Sequence, residues 1–316
     1  MSHIFDALER AEAERSGIKL DAFEMPTELL QIVESAASAP VAEPAAARAD
    51  ESEIPERETR ELHRAPENPK RPWPQFESLP VSLAPYSKLV TATEKESLAA
   101  EKFRFLAVRL RQLQQRRPLK KLLITSTIPK EGKSTVAANL VCTLASRRQQ
   151  RILLLEGDLR RPILAQQFGL GKVRGLSEFL QNLTDTTIPV YRLDALGMWI
   201  LPAGGVAQNP LELMQSARLS LLMEQLNAWF DWIVIDSPPV LPLADTSVWM
   251  RMADGVLLVT RQGTTEKEQL QRGLEAIESA KLLGALLNCS EHTVHSDYYY
   301  HYGPSPASQP TNRSSK

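Results

Sequence analysis

The chain has 316 residues, 43% of them hydrophobic and 24% charged, with a formal net charge of −1. This balance excludes a collagen-like, disulfide-scaffold or wholly disordered chain, and no nucleic-acid partner is expected. Its two cysteines, Cys142 and Cys289, make no Cys-x-x-Cys, and no apolar run reaches the roughly 18 residues of a membrane span, so a cytoplasmic chain with two buried structural thiols is expected.

The near-neutral total hides an asymmetry. Residues 1–87 carry 17 Asp and Glu against 9 Lys and Arg, net −8, and the remainder is net +7. Residues 2–16 read as a short amphipathic helix stopped by Gly17, with Ile4, Leu8 and Ala11 on one face. A second short helix is expected at residues 28–35. From about Ala36 to Pro85 the composition turns to Ala, Pro, Glu and Arg, and ten of the 22 prolines lie in residues 1–87. The expectation is an acidic, largely disordered arm, residues 1–87, carrying short partner-docking helices. It is too acidic for a basic membrane-surface helix.

Residues 88–290 read as one α/β domain. A long helix is expected over residues 93–116, with Leu98, Phe103, Leu106, Leu110 and Leu113 on its apolar side. The strand Leu122-Leu123-Ile124 then runs into a loop ending Gly132-Lys133-Ser134-Thr135, and the following apolar residues open a helix. That is the strand–loop–helix context of a phosphate-binding loop, although Thr127 replaces the first glycine of G-x-x-x-x-G-K-[ST]. Backbone N–H groups over Pro129, Lys130, Glu131, Gly132, Lys133, Ser134 and Thr135 can surround phosphate oxygens. Lys133 would reach the β/γ-phosphates and the Ser134 hydroxyl would hold Mg²⁺.

Downstream, strands are expected at residues 152–156, 199–201, 231–236, 255–261 and 284–288, with helices between them starting near Gly175, Asn209, Leu219 and Glu266. Continuous apolar strands alternating with helices argue a parallel sheet flanked by helices on both faces. Ligands then bind at the carboxyl ends of the strands, where Lys133, Glu156, Asp158 and Asp236 all fall. Asp236 ends Ile233-Val234-Ile235 and suits the Walker B role of orienting Mg²⁺. Of Glu156 and Asp158, one can complete Mg²⁺ coordination and the other can accept the proton of an attacking hydroxyl.

Three segments carry a family resemblance: residues 126–135, residues 153–160 with Glu156-Gly157-Asp158-Leu159-Arg160, and residues 233–239 with Asp236-Ser237-Pro238-Pro239. They resemble the Walker A, A′ and B motifs of the bacterial tyrosine kinases of capsule and exopolysaccharide synthesis, P-loop NTPases by fold. The tail from residue 291, with Tyr298, Tyr299, Tyr300 and Tyr302, is similar to that family's autophosphorylation cluster and is expected to be disordered. The resemblance implies ATP and Mg²⁺ as cofactors and tail tyrosines phosphorylated in trans within a homo-oligomer. Lys133, Glu156, Asp158 and Asp236 are then catalytic, with Ser134, Asp158 and Asp236 at the metal. It also implies a separate membrane chain-length or polysaccharide co-polymerase protein that recruits the chain to the inner face of the membrane. Three positions depart from the pattern. Glu156 stands where Asp is usual, and Lys130 where Gly is usual. Glu101 and Arg104 fit the self-association motif, but Ala107 replaces its last Arg. A partitioning-type nucleotide-switch ATPase and a non-catalytic ATP-bound scaffold are the alternative readings.

Overall fold

Apolar runs with charged side chains only at their ends form the central strands. The computed structural model describes residues 73–84, 87–241 and 244–290. Eight strands, β1 (Glu77–Ser78), β2 (Lys121–Ser126), β3 (Ile152–Glu156), β4 (Tyr191–Leu193), β5 (Met198–Leu201), β6 (Trp232–Asp236), β7 (Gly255–Arg261) and β8 (Leu282–Asn288), form one sheet. Their order is β1-β4-β5-β3-β6-β2-β7-β8. All pairs are parallel except β4 with β5. That pair departs from the parallel expectation because Leu193 and Met198 are joined by a tight turn, with Gly197 at φ +68°.

The helices are α1 (Val90–Thr93), α2 (Leu98–Arg116), α3 (Lys133–Ala145), α4 (Leu164–Gln167), α5 (Leu176–Gln181), α6 (Pro210–Met214), α7 (Ala217–Trp229), α8 (Asp245–Met252) and α9 (Lys267–Glu275). Strand side chains alternate between two cores. Leu122, Ile124, Ile152, Leu154 and Val234 pack with Leu110 of α2 and Leu140 and Leu144 of α3. Leu123, Leu153, Leu155, Ile233 and Ile235 face the other way, with Phe179 of α5, Leu222 and Leu226 of α7, and Trp249 of α8. Both faces of the sheet are therefore covered by helices, as the patterning predicts.

Three local differences have physical causes. The helix expected over residues 93–116 is broken, because Ser97 is an N-cap whose side chain accepts a hydrogen bond from Ala100 N at 3.2 Å and starts α2 afresh. Cys142 is buried, and burial raises its thiol pKa to about 12, but Cys289 is exposed with φ +57°, just past the end of edge strand β8. One expected buried thiol is thus at the surface. Finally, packed structure begins well before residue 88. Leu79 N donates to Arg192 O at 2.9 Å, and Trp73 and Phe76 sit edge-on and stacked among Trp199, Trp229 and Phe230. The strap 73–84 thus belongs to the body. The expected helices at 2–16 and 28–35, and the tail tyrosines, lie outside the described residues.

Candidate active site

The phosphate loop leaves β2 at Ser126 and enters α3 at Lys133. Gly132 caps α3 with φ +95°. A Cβ there would lie 2.1 Å from Asn288 Nδ2, and the same Nδ2 donates to Glu131 O at 2.8 Å. Only glycine satisfies both the conformation and the close approach. Lys130 also holds a positive φ of 69°, which explains physically why glycine is usual there; a side chain in that region costs about 1 kcal/mol. Thr127 is fully buried and is absent from the positive-φ residues, so its backbone demands no glycine. Glu131 turns inward: its Oε2 accepts from Ile128 N at 2.8 Å and its Oε1 from the Thr265 hydroxyl. Burial raises its pKa against those hydrogen bonds. Its side chain staples the loop, so only its backbone can face a phosphate.

Opposite the loop, β3, β6 and β2 lie side by side, with Glu156 in register with Asp236 and Ile124 in register with Asp236. The sheet order therefore brings together chain segments far apart in sequence. Lys133 Nζ donates to Asp158 Oδ2 at 3.1 Å and lies 3.9 Å from Asp236 Oδ1. It also approaches Ser134 Oγ at 3.4 Å. Burial alone would lower the Lys133 pKa, but Asp236 and Asp158 outweigh it and raise it. Asp236 is fully buried, and neither carboxylate oxygen has a hydrogen-bond partner. Burial raises its pKa, with the Lys133 charge and the Ser134 hydroxyl acting against that.

Glu156 is held differently. It is 1% exposed. Its Oε1 accepts from both Ile163 N and Leu164 N, the latter at 2.6 Å, and its Oε2 accepts from Ala203 N at 2.9 Å. Burial raises its pKa, opposed by these three backbone donors. The carboxylate thus joins the start of α4 to the end of β5. Asp158 Oδ1 accepts from Arg161 N at 3.0 Å. Its other oxygen faces Lys133.

Several supporting residues escape sequence reasoning. Arg160 forms a bidentate pair with Asp245 at 2.6 and 3.1 Å. Trp249 Nε1 donates to Gly157 O at 3.1 Å, and its ring leaves no room for a Cβ at Gly157. Asn288 ends β8 at the same carboxyl edge as the other site residues, and that position was the available signal.

No group of three or more His, Cys, Asp or Glu among the described residues forms a closed metal cage. Mg²⁺ needs none, because it keeps waters and takes phosphate oxygens beside one or two carboxylates. The unpartnered oxygens of Asp236 beside the Ser134 hydroxyl fit such an ion.

A phosphate loop at the centre of a parallel sheet, with a strand-end carboxylate on the adjoining strand, defines a P-loop nucleotide-binding protein. No family model matches the chain. It is 34% identical to tyrosine-protein kinase YwqD of Bacillus subtilis over 67% of this chain and 90% of that protein. To the putative tyrosine-protein kinase CapB of Staphylococcus aureus it is 31% identical, over 69% and 96%. Among solved structures it is similar to the chimerical protein CapA2B2, with TM-score 0.59 and 28% identity over 67% of this chain and 93% of that one. The kinase domain of the Escherichia coli tyrosine kinase ETK matches at TM-score 0.59 and 25% identity, over 66% and 83%. The chain belongs to the bacterial tyrosine kinases.

Proposed function

We propose that the chain is an ATP-dependent protein-tyrosine autokinase regulating the chain length, polymerisation or export of an exopolysaccharide or capsule. The observation that carries this reading is the Lys133 ammonium suspended between Asp158 and Asp236. In the nucleotide-free chain the ammonium offsets part of the charge of the two carboxylates. When ATP enters, Lys133 exchanges its carboxylate partners for the β/γ-phosphates. That frees Oδ2 of Asp158, which takes the phenol proton as the tyrosine oxygen bonds to the γ-phosphorus and the bond to the ADP oxygen breaks. Phenol ionises near pH 10, so a positioned base matters. Ser134 and Asp236 would hold Mg²⁺, which would supply charge stabilisation to the phosphate oxygens. The base role goes to Asp158 rather than Glu156, whose oxygens are both engaged by backbone donors.

The acceptors in this reading are Tyr298, Tyr299, Tyr300 and Tyr302 of a neighbouring copy. Changing all four to Phe is expected to remove nearly all phosphotyrosine from the purified, ATP-treated chain while ATP affinity is unchanged. A blot showing undiminished phosphotyrosine in that variant would remove the tail from the mechanism.

No helix among the described residues is long and apolar enough to cross a membrane. We assign recruitment to the inner face of the membrane to a separate co-polymerase protein that docks on the acidic arm. Deleting residues 1–72 spares the packed strap and is expected to abolish co-purification with that membrane protein. Unchanged co-purification would sink the assignment.

A further inference from the structure

Eight large apolar side chains are exposed among the described residues. Single exposed apolar residues are ordinary. Two of them differ by position: Ile163, 40% exposed, and Val206, 68% exposed, stand on the loops that follow β3 and β5, at the rim of the candidate active site.

These loops are fixed. One Glu156 carboxylate binds Ile163 N and Ala203 N together. Gly205 N donates to Glu178 Oε1 at 2.8 Å, and Ala207 N donates to Leu159 O at 3.2 Å. Val206 is thus presented from a backbone held on both sides. Arg161 is exposed, and its N–H is anchored on Asp158 Oδ1, the carboxylate that binds Lys133. The backbone that carries two exposed apolar side chains and a cationic one is thereby held in fixed relation to the reacting groups. Holding exposed apolar groups rigid removes the ordering cost of docking a ligand on them.

We infer that Arg161, Ile163 and Val206 form the acceptor-docking platform, and that its occupant is the tail segment Asp297–Tyr302 of a second copy. This rests on the tyrosine-kinase reading above. The tail matches the platform in kind and order. Asp297 pairs with Arg161, and rings next to the reacting tyrosine cover Ile163 and Val206. The described chain ends at Ser290 beyond β8, four strands from β3 in the sheet order, or about 19 Å at the spacing of strands. Tyr298 lies only eight residues further on, about 26 Å when fully extended. A Tyr298 reaching its own platform has little slack to turn and present its phenol, Tyr302 at about 40 Å has more, and a tail from a second copy arrives without either limit.

The test uses the full chain with its four tail tyrosines changed to Phe as the enzyme, and a peptide of residues 291–316 as the acceptor. Ile163→Ser with Val206→Ser is expected to raise the peptide KM about tenfold at unchanged ATP affinity. Arg161→Glu is expected to do the same, and a peptide with Asp297→Lys to recover the loss. If the double variant also loses ATP affinity, Val206→Ser alone decides, since that side chain is mostly exposed. Peptide KM values within twofold of the parent's, or no recovery on charge exchange, overturn the platform while leaving the kinase reading intact. A parent enzyme that binds ATP but transfers nothing to the peptide overturns both.

Discussion

Replacing Lys133 by Met is expected to lower the single-turnover rate of tail phosphorylation about a thousandfold, or ~4 kcal/mol of transition-state stabilisation. The ammonium is placed to follow charge onto the transferring phosphoryl group, and among the described residues no other cation forms an ion pair with Asp158 or Asp236. The substitution should also be felt without nucleotide. Lys133 compensates the charge of Asp236, which is fully buried and has no hydrogen-bond partner among the described residues. Removing one partner of a buried pair typically costs about 3–5 kcal/mol unless the remaining carboxylate takes up a proton. The variant should therefore unfold at lower temperature than the parent at neutral pH and recover part of the difference on mild acidification. The sign follows from Asp236: a carboxyl whose folded pKa is raised above its unfolded value stabilises the fold below the unfolded pKa, and that stability is lost as pH rises through the folded pKa. Lys133→Arg should not restore transfer, because a planar guanidinium does not reproduce the compact point charge that Lys133 places between Asp158 and Asp236. A Met variant that keeps its melting temperature and most of its transfer rate would remove Lys133 from the mechanism.

Legibility in the sequence followed burial. β3, β6 and β7 are central strands whose apolar runs stop at a carboxylate or at a charged residue, and their ends were readable to within a residue. The short strands β1, at the sheet edge, and β4, next to it, were not, because two or three residues are too few to carry a periodicity. Helix α8 was also missed: it follows a proline-rich stretch and owes its place to Trp249 packing under Gly157. In the site, Lys133, Asp158 and Asp236 could be brought together on paper because each ends or follows a parallel strand. What Glu156 binds could not. Its donors, Ile163, Leu164 and Ala203, are 7, 8 and 47 residues away in sequence and come from two different loops. The Arg160–Asp245 pair spans 85 residues and was equally hidden. Chain position reports which strand end holds a carboxylate. Which backbone amides converge on that carboxylate depends on the paths of loops, and no periodic pattern encodes those.

The Glu156 contacts lead to the second large expected effect. Glu156→Ala should destabilise the nucleotide-free chain by roughly 3 kcal/mol or more, because three backbone N–H groups lose their acceptor and a buried unsatisfied donor costs about 1–3 kcal/mol. Part of that loss is returned, since the charge whose burial raises the Glu156 pKa is gone. For a domain of this size the melting temperature should fall by roughly 6–12 °C. Glu156→Asp, although it restores the residue usual in the family, should also destabilise: one methylene shorter, it cannot span from Ile163 and Leu164 across to Ala203. Glu156→Gln decides between clamp and base. Its amide oxygen can still accept from Ile163 and Leu164, but its NH₂ would face the Ala203 N–H, two donors against each other. A clamp predicts a lower melting temperature, with transfer by the folded fraction within about tenfold of the parent; Asp158→Asn should then lose about 10³ with the fold intact. A Glu156→Gln variant that melts like the parent yet loses transfer as deeply as Asp158→Asn would return the base role to Glu156.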